Sequence, residues 1–164
     1  MDVYRVLADG AILSVLASLI LIAALRFNPR LFLQDYPAEI QRKVPAQTEK
    51  EKRQGLFFGI PFLILLVAVP FISTLTLKRN DPQDVSLLQL FVNAFSVAFI
   101  FNLVDLLLLD WLMFCIITPR FIVVPGTEGA KGYKDYAYHF RAFIKGTLLS
   151  VAAGLVIGGL VSLL

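Results

Sequence analysis

The sequence predicts an all-α integral membrane protein with four transmembrane helices, a long third helix extending past the bilayer, and both termini on the non-cytoplasmic side. Three observations carry this prediction. Of the 164 residues, 58% are hydrophobic and only 16% are charged, whereas a soluble domain is nearer half apolar and a quarter charged. The apolar residues form four long blocks. The basic residues collect in two of the segments between those blocks, as they do on the cytoplasmic side of membrane proteins.

The four apolar blocks cover about residues 6–25, 55–77, 85–117 and 140–164. Each block reaches the ~20 residues that an α-helix needs to cross a ~30 Å hydrocarbon core. Because backbone groups in lipid must pair within their own segment, we expect the blocks to be helices. The first block is interpreted as a span and not as a signal peptide, since its apolar stretch is too long and Asp2 offsets Arg5. Residues 1–164 are treated as a single transmembrane domain.

Lysine and arginine residues set the predicted orientation. Twelve of the fifteen lie in or beside the segments 26–54 and 118–139, and only Arg5, Lys78 and Arg79 lie on the opposite side. The positive-inside rule makes the two segments cytoplasmic loops and residues 78–84 a short outer turn. The expected partners are therefore the bilayer and anionic lipid headgroups, and not nucleic acid. A bacterial plasma membrane is the favoured location, because the chain is small and shows no evident targeting segment.

Small residues recur at every fourth position of the last block. This pattern lets helix backbones approach closely, and the first block carries a shorter version at Gly10, Ser14 and Ser18. We expect the first and last helices to pack antiparallel within one chain, with a homo-oligomer or a protein partner as the alternative use of the same face. The predicted packing residues are Gly146, Ser150, Gly154, Gly158 and Ser162.

Pro70 lies well inside the second block, where a proline removes a backbone hydrogen bond and kinks the helix. The favoured interpretation is a static kink whose freed backbone groups are satisfied by the hydroxyls of Ser73, Thr74 and Thr76. A hinge or an ion-coordinating break is the alternative.

Two aspartates interrupt the third block in the stretch FNLVDLLLLDW, residues 101–111. Twenty residues of helix from Val85 bring Asp105 to the cytoplasmic boundary of the membrane, which lowers the penalty on its charge. Asn102 lies three residues earlier and shares the face of Asp105. At 100° per residue, Asp110 lies about 140° around an α-helix from Asp105. The sequence therefore predicts that the two acids point in different directions and do not form a dyad.

The single histidine is expected at the same end of the bundle. His139 lies seven residues before Gly146, so it falls on the small-residue face at the cytoplasmic end of the last helix. We expect Asp105 or Asp110 to lie within contact reach of His139, Arg120 or Lys134. The candidate ligand-binding residues are Asn102, Asp105, Asp110, Arg120, Glu128, Lys134 and His139, with Asp105 and His139 as candidate metal ligands.

Two interpretations of this cluster stay open. It is either a salt-bridge network that holds a loop on the bundle, or a cytoplasm-facing site for a lipid headgroup, an ion or a small ligand. No cofactor is assigned, since one Cys and one His exclude the usual zinc constellations and no nucleotide motif is present. The leading hypothesis is a binding or partner-subunit membrane protein. The alternatives are a small oligomeric transporter or channel that uses Asn102, Asp105 and the Pro70 break, and a lipid-modifying enzyme that uses Asp105 and His139.

Overall fold

The computed structural model describes residues 2–80 and 85–164. The α- and π-helices of this part are α1 (Val3–Phe27), α2 (Ala38–Gln41), α3 (Glu49–Asn80), α4 (Leu87–Val104), a π-helix (Asp105–Ile117) that continues α4, and α5 (Tyr136–Ser162). Four helical stretches are long and apolar enough to span a membrane: α1, α3, α4 with its π-helix, and α5. The predicted all-helical class with four such stretches is confirmed. The outer turn predicted at 78–84 lies partly outside the described residues.

Two of the spanning helices begin before their apolar blocks, because side chains cap their first turns. The hydroxyl of Thr48 accepts the N–H of Glu51 at 3.2 Å, while the carboxylate of Glu51 accepts the N–H of Thr48 at 2.7 Å. This reciprocal pair starts α3 as a capping box does. Asp135 accepts the N–H of Tyr138 at 2.8 Å and starts α5 in the same manner. Both helices therefore extend from the apolar region into the polar end of the bundle.

Helix α3 is continuous through Pro70, whose ring is buried. The hydroxyl of Thr74 donates to the carbonyl of Pro70 at 2.7 Å. The amide of Asn93 on α4 then donates to Ser73 Oγ and Thr74 Oγ1, each at 3.1 Å. The polar groups beside the proline are thus paired with one another and with the neighbouring helix, which is the static arrangement and not a break in the chain.

Helix α4 lies at the centre of the bundle, and the small residues of both α1 and α5 face it. A Cβ at Gly10 would lie 2.7 Å from the Ile100 side chain, and a Cβ at Gly158 would lie 2.9 Å from the backbone nitrogen of Phe91. The expected pairing of the first helix with the last is therefore wrong, since each packs on α4 instead. Ser162 lies outside this interface because its side chain is exposed and donates to the carbonyl of Gly159.

The segments between the spanning helices fold against each other over one end of the bundle. We call residues 28–48 and 118–135 together the cap. The hydroxyl of Tyr36 donates to the carbonyl of Ile122 at 2.9 Å, and the hydroxyl of Tyr133 accepts the N–H of Val124 at 2.8 Å. The first bond joins the two segments, the second closes segment 118–135 on itself, and both lie beside a shared apolar core. The buried members of this core are Leu25, Leu33, Tyr36, Ile40, Ile122, Val124, Ala130 and Tyr133.

Candidate functional site

A cavity of about 310 Å³ lies where the cap meets the bundle. Its lining comes from α1, α3, the π-helix, the start of α5 and the first segment of the cap, so the chain must be fully folded to form it. Most of the wall is aliphatic or aromatic, and three acids and one histidine interrupt it. The lining residues are Leu21, Leu25, Phe32, Asp35, Tyr36, Phe62, Asp105, Leu109, Asp110, Met113, Phe114 and His139.

The π-helix brings Asp105 and Asp110 to the same cavity. Its hydrogen bonds join residues five apart, as in the bond from the N–H of Thr118 to the carbonyl of Met113 at 2.9 Å. Residues at i and i+5 therefore follow one another on one side of this helix. The prediction that the two acids point apart is wrong, because it assumed the 3.6-residue turn of an α-helix. The segment ends where Thr118 adopts a left-handed conformation, with φ of 46°, before Pro119.

Asp110 and His139 are in contact at this cavity. His139 Nδ1 lies 2.7 Å from Asp110 Oδ1, so the predicted contact between one of the acids and the histidine is confirmed. The imidazole is 4% exposed and packs against the ring of Phe114, with the ring centroids 5.6 Å apart. Its Nε2 atom is buried and has no hydrogen-bond partner among the described residues. When Nδ1 carries the proton that it shares with the carboxylate, a neutral imidazole leaves Nε2 as an acceptor.

Asp105 lines the cavity without an ion pair or a hydrogen bond to any other described side chain or backbone group. Its chain neighbours Leu106 and Leu109 are buried and apolar. A carboxylate in such surroundings is unfavourable unless water, a partner or a ligand compensates its charge. In the described part of the chain, the compensating group is not a protein side chain.

The cap contributes two cavity residues that the sequence analysis missed, Asp35 and Tyr36. Asp35 as a whole residue is exposed at the cavity. Its carboxyl group is partly desolvated there, and this raises its pKa above the ordinary value. Tyr36 is 2% exposed, and burial also raises the pKa of its hydroxyl, which donates to the carbonyl of Ile122. No periodicity surrounds this stretch, so its sequence offers no signal for the contact.

The remaining candidate residues lie elsewhere. Asn102 donates to the carbonyl of Phe143 at 3.1 Å and to the hydroxyl of Thr147 at 3.0 Å, and it covers Gly146, so it joins α4 to α5. The exposed carboxylate of Glu128 accepts backbone N–H bonds within its turn, chiefly its own and that of Gly126, which hold its pKa below the ordinary value. The cavity lining also does not include Arg120 and Lys134, whose side chains are exposed.

A preformed metal centre is not found in residues 2–80 and 85–164, where no group of three or more His, Cys, Asp or Glu side chains is placed to hold an ion. Asp105 and His139 line one cavity, but they do not converge with a third ligand there.

Basic residues surround the cavity end of the molecule. Arg30 pairs with Glu51 at 2.6 Å, and the guanidinium of Arg26 lies 4.7 Å from the centroid of the Phe121 ring. The other basic side chains of this end are exposed, and they contrast with the acidic lining of the cavity. These exposed residues are Arg42, Lys43, Lys50, Lys52, Arg53, Arg120, Lys131, Lys134, Arg141 and Lys145.

Comparison of this chain with family models, with curated proteins and with solved structures found no match.

Proposed function

We propose that this protein is a ligand-binding integral membrane protein whose site is the cavity beneath the cap. The observation that carries the proposal is Asp105, a carboxylate in an apolar wall, which lines a cavity and has no partner in the described chain. An ionisable group placed in this manner within a spanning segment is a functional site by default. A small, mostly apolar cavity with a few convergent polar groups is also the usual form of a ligand site.

The alternative of a structural salt-bridge network is less well supported. A network that holds the cap would pair the loop cations Arg120 and Lys134 with the acids of the π-helix, but both cations are exposed. The cap is held to α3 by the ion pair of Arg30 with Glu51, and it is held together by the hydroxyls of Tyr36 and Tyr133 and by its apolar core. None of these contacts uses the acids of the π-helix. Only Asp110 has an ion-pair partner, His139, which leaves the charge of Asp105 for a ligand.

The basic residues around the cavity support a cytoplasmic location for it, and we propose that both termini lie on the other side of the membrane. A bacterial plasma membrane remains the favoured location, and anionic lipid headgroups remain the expected partners of the exposed basic residues. These basic residues are separate from the cavity lining, so the site for anionic lipid and the site for ligand are different surfaces.

The proposal is tested by filling the cavity. Leu21 lines the cavity, whereas Leu19 lies on the same helix and is 59% exposed at the outer surface. The full chain is purified gently from membranes as wild type, as Leu21→Trp and as the matched control Leu19→Trp, and each sample is examined by native mass spectrometry. We expect a small-molecule adduct on the wild type and on Leu19→Trp and its loss from Leu21→Trp.

An identical set of adducts on all three proteins, or no adduct on any of them, would contradict the proposal. A thermal melt of each protein separates loss of the ligand from loss of the fold, because a misfolded Leu21→Trp would lose its cooperative transition as well as its adduct.

Acid–base catalysis on a bound lipid is a second candidate function, and the Asp110–His139 pair favours it. Asp110 Oδ1 lies 2.7 Å from His139 Nδ1, and the buried Nε2 has no partner among the described residues. A histidine oriented by a carboxylate in this manner can act as a general base through its other nitrogen. Incubation of the protein with a membrane lipid extract tests this candidate. Mass spectrometry should detect a product with the wild type and not with His139→Gln.

The transporter hypothesis is less favoured for two reasons. Helix α3 is unbroken at Pro70, and Asn102 is bonded to α5.

A further inference from the structure

We infer that the ligand of the cavity is an organic monocation, an ammonium group that carries apolar or aromatic substituents. This inference rests on the proposed function and specifies the chemical class of the ligand.

The charges of the lining decide the sign. Asp110 already has His139 as its partner, with Nδ1 at 2.7 Å from Oδ1. Asp105 has no such partner, and Asp35 lies at the same cavity as an exposed third acid. Among the described residues, the lining contains no lysine or arginine. An anion would therefore meet carboxylates without a matching donor, whereas a cation would compensate the charge of Asp105.

The number and placement of the acids favour a single organic charge over a metal ion. A divalent metal such as Ca²⁺ takes about six to eight oxygen ligands, and Mg²⁺ requires an octahedral set. The described residues provide no group of three metal-ligating side chains at this place. Asp105 is the acid without an ion pair on the apolar wall, whereas Asp35 is exposed. Asp105 therefore suits one ammonium group, which it contacts by a charge-assisted hydrogen bond or by direct attraction.

The rest of the wall suits the substituents on that nitrogen. Four aromatic rings line the cavity, those of Phe32, Tyr36, Phe62 and Phe114. Aromatic rings attract ammonium groups through their negative faces, and they form the cages that hold quaternary ammonium ligands. Aliphatic side chains of α1 and of the π-helix complete the wall. With a volume of about 310 Å³, the cavity is at the small end of ligand pockets, so it fits a compact head with a short apolar substituent.

The test is a titration of the full chain in nanodiscs of phosphatidylglycerol with three probes of similar shape: benzyltrimethylammonium, benzyl alcohol and phenylmethanesulfonate. Calorimetry measures the heat of binding. The fluorescence of Trp111, the only tryptophan and the neighbour of Asp110, gives an independent signal. We expect the cation to bind at least about tenfold more tightly than the neutral and anionic probes. Binding of either of these probes with equal affinity would overturn the inference.

Three variants assign the charge that binds the cation. Asp105→Asn should weaken the binding of benzyltrimethylammonium by about tenfold or more, while Asp105→Glu retains most of it. Asp9→Asn is the matched control, since Asp9 is an acid of a spanning helix that lies outside the cavity lining. Asp105→Asn should also melt at the same temperature as the wild type or higher, because it removes a desolvated charge. Unchanged affinity in a folded Asp105→Asn would overturn the inference.

The ammonium group has two sources, a lipid headgroup or a free amine. If a lipid supplies it, replacing half of the phosphatidylglycerol by phosphatidylcholine weakens the apparent affinity for the probe more than replacing that half by the uncharged lipid digalactosyldiacylglycerol. Both mixtures have the same surface charge, and only the first offers an ammonium group that competes. If the source is a free amine, the affinity is the same in both mixtures. Should no probe bind while Leu21→Trp still removes the native adduct, the cation class is overturned and the proposed function stands. Should Leu21→Trp retain the adduct, the proposed function itself fails.

Discussion

Asp110 and His139 make one short polar contact, and Asp105 has no such contact in the described chain. The 2.7 Å pair places the imidazole, which is 4% exposed, in a fixed orientation against the π-helix. Asp105 lies five residues earlier on the π-helix and has no such partner among the described residues. The two acids have the same side chain, and they differ because the histidine contacts only Asp110.

At this scale, we expect His139→Ala to lower the free energy of unfolding by about 2 kcal/mol. The substitution removes the partner of Asp110 and leaves that carboxylate largely buried, with its side chain 19% exposed. Denaturant titration in detergent, followed by circular dichroism, measures the change. Lys43→Ala is the control, since the pair of Lys43 with Glu39 has both side chains 44% exposed and should contribute much less than a buried pair. An equal decrease in the free energy of unfolding in the two variants would show that the buried pair stabilises the protein no more than the exposed pair does.

Among the helices, α4 serves as the surface on which α1 and α5 pack. The approach of α5 is limited by backbone, because the position of a Cβ on Gly158 is 2.9 Å from the nitrogen of Phe91 and 3.1 Å from its Cα. A side chain can turn aside but a helix backbone cannot, so this glycine sets the distance between α4 and α5.

We therefore expect Gly158→Ala to destabilise the protein by about 1–3 kcal/mol, the usual cost of overpacking. Gly59→Ala is its control within a helix, because a Cβ at Gly59 meets no atom within 4 Å and alanine is the better helix former by about 0.5–1 kcal/mol. The melting temperature in detergent should fall for the first variant and stay or rise for the second. A fall of equal size in both would contradict the close approach of α5 to α4.

The cap is an element stabilised by tyrosine hydroxyls. Tyr133 accepts the N–H of Val124 and shares a hydrogen bond with Thr127 at 2.6 Å. Tyr133→Phe leaves a buried N–H unpaired, and we expect a loss of about 1–3 kcal/mol. Amide hydrogen exchange should speed up across residues 118–135. Tyr136→Phe, at a tyrosine that is 42% exposed, should leave exchange there unchanged, and equal protection in both variants would contradict the role of the Tyr133 hydroxyl.

The whole molecule has one end where charges concentrate. The cap, the cavity and most of the exposed basic side chains lie there. In the proposed orientation, these basic side chains meet anionic headgroups on the cytoplasmic side and both chain ends lie across the bilayer.

Cysteine labelling checks this orientation. The one native cysteine, Cys115, is buried, and Cys115→Ala gives a background without thiols. We expect a membrane-impermeant maleimide to label Leu164→Cys in intact cells, and to label Lys50→Cys only after the membrane is permeabilised. The positive-inside rule is the physical reason, since translocating the cations near Lys50 is unfavourable. The reverse pattern of labelling would place the cavity on the outer side.

Composition and block length were sufficient for the four spanning helices, because lipid leaves backbone groups no partner outside their own helix. Counting residues along the third and last helices placed the two acids and His139 at the same end of the bundle, so the contact of one acid with His139 was predictable. The spacing of glycines showed that close packing occurs on α5. It did not show against which helix, because a small-residue face is complementary to any helix that offers a flat surface.

The sequence by itself therefore determined the four long apolar helices and the end of the molecule where polar groups collect. Only the tertiary structure decided which side chains share the cavity. The π-helix turned Asp110 toward Asp105, and the cap brought Asp35 and Tyr36 to the same wall. Both features depend on contacts between residues far apart in the chain. Local periodicity shows only which residues within one or two turns share a face, so it cannot predict such contacts.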